Sequence, residues 1–218
     1  MSVPRAVAGS ALLAAGAGLT VLVATPRTRA LLHPVDERWY ALMQRTRPAA
    51  FRAMSHTLDR GFGTVPDWSA RVLVTAVLVR QRRWRALAGW SATIVLGEAC
   101  IGPIKSAVRR PRPLSPRTVT SQSSYPSGHA IAAATTAPGV VLALLPPGRT
   151  RRWALGGALA VAAATAVSRT DLNAHWLYDC LGGFSLGAGF ALTAPVAVEV
   201  LADARAARPR PPRRASRR

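Results

Sequence analysis

Of the 29 basic residues in this 218-residue chain only one, Lys105, is a lysine. It opens the run Lys105-Ser-Ala-Val-Arg-Arg-Pro-Arg112-Pro113. A run of this kind suits a multiply charged anion, with lysine acting as a point charge and arginine as a two-pronged donor. Next, Ser124-Tyr125-Pro126-Ser127-Gly128-His129 leads into an apolar stretch, the pattern of a loop entering a helix. Ser127 suits an N-cap, Gly128 lets the backbone approach a ligand closely, and N–H groups at a helix start bind phosphate. His129 would stand in that first turn. A third segment carries Ser168, Arg169, His175 and Asp179 between two apolar runs. Were His175 and Asp179 helical, at i and i+4, the carboxylate would share a face with the imidazole. It would then fix the ring's tautomer and orientation and sharpen one nitrogen as nucleophile or base.

Each segment alone has a plainer explanation. Basic residues flank membrane spans, interfacial histidines are ordinary, and helical His–Asp pairs are common. Asp171 and Asn173 receive no role. Cys100 and Cys180 form no Cys-x-x-Cys pair, no metal constellation is found, and whether the two are bonded stays open.

The elements that must position these residues are apolar. Half of the chain is hydrophobic, which excludes a disordered protein, yet the formal net charge is +20 with only nine acids. Long Ala, Leu, Val and Gly runs separated by arginine-rich segments predict an all-α, polytopic membrane bundle of about six transmembrane helices. The spans fall at 6–25, 68–79, 86–104, 130–145, 153–167 and 180–201. The first reads as an uncleaved anchor, with a cleavable signal peptide as the alternative. The second is short and requires Arg71 to snorkel to the interface. Between 33 and 67, mixed polarity suggests short helices on the membrane surface. Trp68, Trp84, Trp153 and Trp176 fall at span ends, where amphipathic rings sit between headgroups and hydrocarbon.

Arginine density in short loops sets the orientation. Arg80, Arg82, Arg83 and Arg85 crowd one loop, Arg149, Arg151 and Arg152 another, and seven arginines the end of the chain from Arg205. This puts the termini in the cytoplasm of a plasma-membrane protein and the motif loops at the extracytoplasmic end. The near-exclusive use of arginine suggests a GC-rich bacterial coding sequence. Residues 1–204 form the membrane domain. Residues 205–218 read as a disordered Arg/Pro-rich cytoplasmic tail that serves topology or meets anionic headgroups. Specific nucleic-acid binding is disfavoured, because the tail lacks aromatic interleaving and a folded reader. Oligomeric state is not legible.

Taken together, Lys-x6-Arg-Pro, Pro-Ser-Gly-His and Ser-Arg-x5-His-x3-Asp resemble the signature of the type 2 phosphatidic acid phosphatase and vanadium haloperoxidase superfamily. Every motif position is matched between Lys105 and Asp179. Both Arg110-Pro111 and Arg112-Pro113 read Arg-Pro; six intervening residues select Arg112. The resemblance implies that His175 attacks phosphorus, that Asp179 orients it, and that His129 protonates the leaving oxygen. It also implies that Lys105, Arg112, Ser127, Gly128 and Arg169 hold the nonbridging oxygens. The implied activity is a membrane phosphatase acting without metal or cofactor on a lipid phosphate or diphosphate, through a phosphohistidine. Phosphatidate, phosphatidylglycerol phosphate and polyprenyl diphosphate all qualify. The alternatives are a vanadate-dependent haloperoxidase, disfavoured because those relatives are soluble, and a non-catalytic membrane scaffold with an anion-binding tail.

Overall fold

The computed structural model describes residues 2–45, 47–118 and 123–207, and among these all regular structure is helical. In chain order the helices are α1 (Ser2–Ala24), α2 (Pro26–Arg45), α3 (Ala49–Gly61), α4 (Thr64–Arg80), α5 (Trp84–Val108), α6 (Gly128–Leu144), α7 (Arg149–Asp171) and α8 (Leu177–Ala206). The six expected spans correspond to α1, α4, α5, α6, α7 and α8. By length and composition α1, α5 and α8 can each cross a membrane, and the bent pair of α3 and α4, meeting at 54°, makes a fourth if taken as one broken span. The 17-residue α6 is about 26 Å long, a little short of the roughly 30 Å hydrocarbon layer. Ser127 caps it at one end, and Pro146-Pro147 stops it at the other. The 23-residue α7 carries arginines in its first and last turns. The tail expected from 205 begins inside α8, which continues to Ala206; residues 208–218 lie outside the described residues.

At the centre is α8, which packs against α1, α5, α6 and α7. Hydrocarbon offers no hydrophobic drive between helices, so close backbone approach and dispersion must supply the attraction. Small residues permit it. A Cβ on Gly187 would stand 2.7 Å from the Ile131 carbonyl of α6, and one on Gly9 would stand 2.7 Å from Thr193 Cγ2. Helices α2 and α3, the segment expected on the membrane surface, pack across the end of the bundle against α7 and bring polar side chains onto it. Both cysteines are free thiols.

Arg71 departs from expectation. It does not snorkel; it is 3% exposed, and its Nε lies 2.8 Å from Asp67 Oδ2 and donates to Thr136 Oγ1 at 3.0 Å. Its Nη1 meets Glu98 Oε1 at 2.5 Å, and the guanidinium stacks 5.0 Å from the Trp68 ring. Two carboxylates on α4 and α5 neutralise the charge inside the bundle, so escape to the interface is unnecessary. Arg71→Ala would strand Asp67 and Glu98. A loss of about 3–5 kcal/mol is expected from the removal of one member of a buried pair, read as a lowered thermal unfolding midpoint in detergent. An unchanged midpoint would contradict this packing.

Candidate active site

All the motif residues lie at one end of the bundle, where α5 and α7 finish and α6 and α8 begin. After α7 ends at Asp171 the chain turns through Asn173, whose φ of 54° is left-handed, a conformation asparagine tolerates. The amides of Ala174 and His175 then donate to the Arg169 carbonyl at 3.0 and 3.3 Å. His175 therefore stands outside both helices. The expectation of a His–Asp pair on one helical face is corrected: Asp179 occupies the first turn of α8, where Oδ2 accepts the Trp176 amide at 2.9 Å. It serves as cap and partner at once.

His175 Nδ1 lies 2.7 Å from the Ser124 carbonyl and 3.6 Å from Asp179 Oδ2. A carbonyl only accepts, so Nδ1 carries the proton and Nε2 has a free lone pair. From the other side Arg112 Nη1 donates to Nε2 at 3.3 Å, which agrees with that tautomer. The ring is thus fixed by a backbone carbonyl with the carboxylate behind it. Burial pushes the imidazole down to about pKa 4, with Asp179 opposing the shift.

Asp179 is itself fully buried. Its Oδ1 accepts from Arg110 Nη1 at 2.6 Å, and its Oδ2 accepts from the Ser124 hydroxyl. Arg110 also pairs with the buried Asp36 of α2, whose Oδ1 accepts the Tyr178 amide at 3.1 Å. The first Arg-Pro arginine, Arg110, is thus an organiser behind the site, and Arg112 is the one that reaches the histidine.

The remaining cations gather nearby. Lys105 Nζ and Arg112 Nη2 both donate to the Ser123 carbonyl, at 2.7 and 3.0 Å. Burial lowers the Arg112 pKa from its ordinary value. Ser127 caps α6, its Oγ accepting the Ala130 amide at 3.4 Å, and its own amide donates to the Asp179 carbonyl at 3.1 Å. The space where a Gly128 Cβ would stand is open to 4 Å, which leaves room for an oxyanion over the helix start. Arg169 is 1% exposed, and its Nε has no hydrogen-bond partner among the described residues. Its Nη1 pairs with Asp59 Oδ1, which also lies 3.4 Å from His129 Nε2, while Asp59 Oδ2 accepts from the Thr118 hydroxyl at 3.0 Å. Lys105 opens on a cavity of about 790 Å³, and His129 and Gly128 open on one of about 190 Å³ beside Trp68 and Glu98.

Sequence reasoning missed Asp36, Asp59 and Ser124. Nothing local marks the two acids, which arrive from α2 and α3. Asp171 and Asn173, left without a role, hold the turn in place: Asp171 pairs with Arg47 at 2.7 Å, and Asn173 Oδ1 accepts from Gln44 at 2.6 Å. Among the described residues no group of three or more His, Cys, Asp or Glu side chains is gathered as a metal would need.

The chain matches the family model of the PAP2 superfamily over residues 86–203. No curated protein sequence matches it. Among solved structures it is similar to that of a transmembrane PAP2-type phosphatidylglycerolphosphate phosphatase from Bacillus subtilis. That match has a TM-score of 0.70 and 21% identity, and it covers 90% of this chain and 96% of the other. The matched stretch contains every motif residue from Lys105 to Asp179 and the ends of all four helices that carry them, and this chain belongs to the PAP2 superfamily.

Proposed function

We propose that this protein is an integral-membrane phosphatase that hydrolyses a lipid phosphate or diphosphate through a phosphohistidine on His175. The observation that carries the reading is His175 itself: Nδ1 tied to the Ser124 carbonyl, Nε2 unprotonated beside Arg112, and Asp179 behind. Nε2 attacks phosphorus while the bond to the leaving oxygen breaks, and His129 gives that oxygen its proton. Asp179 stabilises the charged ring. Water then attacks the phosphohistidine and releases phosphate. Arg112 gives up its contact with Nε2 to a nonbridging oxygen, and the orphan Nε of Arg169 takes another. With Lys105, Ser127 and the Gly128 amide, these groups supply the positive field that phosphoryl transfer requires.

A lipid tail is supported by surroundings that are apolar. A groove along α4, lined by Val65, Trp68, Val72 and Leu73, shares Thr64 and Trp68 with the pocket beside His129. Arg5, Arg82, Arg83, Arg85 and Arg151 gather at the opposite end of the bundle, which supports an extracytoplasmic site by the positive-inside rule. Phosphatidate, phosphatidylglycerol phosphate and polyprenyl diphosphate make up the substrate panel.

Phosphate release by the full-length protein in detergent is expected to persist in excess chelator and to fall at least about a thousandfold in His175→Ala. Chelator-sensitive release, or release that survives the substitution, would overturn the reading. Because burial holds His175 neutral above about pH 4, the acid limb of kcat/KM is expected as pH falls through about 4. A midpoint at the ordinary histidine value would contradict a buried nucleophile. Asp59→Asn is expected to slow an alkyl phosphate more than p-nitrophenyl phosphate, whose leaving group needs no proton. Equal losses on both would remove Asp59 from the proton path.

A further inference from the structure

At the end of the bundle opposite the histidines, α1, α5 and α7 begin and α6 and α8 finish. Between these helix ends lies a cavity of about 660 Å³. Five arginines line it from three separate parts of the chain: Arg5 from α1, Arg82, Arg83 and Arg85 around the start of α5, and Arg151 from α7. Only two carboxylates, Glu199 and Asp203, stand with them, a formal excess of three positive charges.

The local bonding leaves that excess uncompensated. Arg85 pairs with Asp203 at 3.0 Å. Arg83 and Arg151 donate instead to the Leu144 and Leu145 carbonyls at the end of α6, at 3.3 and 3.4 Å. Arg5 Nε is buried with no partner among the described residues. Topology rules require arginines on one side of a membrane, but they do not require arginines from distant segments to converge on one cavity. Guanidinium forks around a hollow match a phosphate group, which accepts two-pronged donation. Apart from Thr93 the rest of the wall is apolar, including Trp90, Leu142, Pro147 and Pro195, and Trp84 on the lining is 57% exposed.

We propose that this cavity binds the phosphate of an anionic phospholipid from the leaflet opposite the active site. The arginines take the headgroup phosphate, and the apolar wall and Trp84 take the start of the acyl region. A free phosphate ion would satisfy the arginines but leave the apolar wall unused. A lipid seated there also clamps the ends of five helices, so the composition of one leaflet bears on the stability of a bundle whose chemistry faces the other.

The test is thermal unfolding of the full-length protein in neutral detergent, with added phosphatidylglycerol, phosphatidylcholine or inorganic phosphate. Phosphatidylglycerol in hundredfold excess over its Kd is expected to raise the midpoint by about 5–10 °C, and phosphatidylcholine is expected to leave it unchanged. The rise should vanish in Arg5→Gln/Arg151→Gln, which keeps basal phosphatase activity, and persist in Arg112→Gln, which alters the other end. An equal rise with inorganic phosphate that also vanishes in the double variant would overturn the lipid as occupant and make the free ion the source. A rise that survives in the double variant, or no rise in the wild type, overturns the proposal. Should the double variant fail to fold, native mass spectrometry of Arg151→Gln reads the same question: loss of one retained phosphatidylglycerol supports the site, and an unchanged count overturns it.

Discussion

The carboxylate of Asp179 has no exposed surface, and a buried charge is tolerable only if it is paired and hydrogen-bonded. Its two oxygens take Arg110, the Ser124 hydroxyl and the Trp176 amide. Arg110, equally buried, carries a second obligation and meets it with Asp36 from α2. The Arg110 carbonyl accepts the Ser124 amide at 2.8 Å, and the Ser124 carbonyl receives the His175 ring. One buried acid thus fixes the start of α8, the segment leading into α6, the cover formed by α2, and the tautomer of the histidine. Truncating Arg110 would strand two buried carboxylates, Asp36 and Asp179, a cost of about 3–5 kcal/mol.

The fold accommodates this network, with its irregular backbone, at the end of the bundle. In hydrocarbon every backbone polar group must be satisfied within the protein, so irregular segments belong where other elements cover them. The segments at 109–118, 123–127 and 172–176 meet that condition at the end of the bundle. There α2, α3 and the connection between them supply Asp36, Gln44, Arg47 and Asp59 as partners. Arg71, in the body of α4, obeys the same rule by pairing with carboxylates on α4 and α5. Charge is therefore not excluded from the bundle; unpaired charge is.

The residues of the candidate site were legible as motifs because each motif sets residue type at short spacing. Lys105, Arg112, Ser127, Gly128, His129, Arg169, His175 and Asp179 are all readable within a 75-residue window, and the structure gathers them at one end of the bundle. Partners from far away were not legible. Asp36 reaches Arg110 across 74 positions, and Asp59 reaches Arg169 across 110, with no local pattern to mark either. The i, i+4 spacing of His175 and Asp179 suggested a shared helical face, yet the turn at Asn173 delays α8 until Leu177, so the same spacing becomes a helix cap. Hydropathy located the apolar runs, but it counts Arg71 as a cost and cannot see the acids that neutralise it. The membrane bundle was read correctly from those runs; the details of α4 and α6 depended on pairing and capping that periodicity does not carry.

In the proposed mechanism a covalent bond forms between His175 Nε2 and phosphorus, and trapping that bond tests it most directly. Substrate carrying a radiolabelled transferable phosphoryl group would be mixed with the full-length enzyme and quenched in alkali, where a phosphohistidine survives. The label is expected on the peptide containing His175, lost on mild acid treatment, and absent when residue 175 is alanine. Turnover at full rate with no label at residue 175, or with an acid-stable label elsewhere, would contradict it.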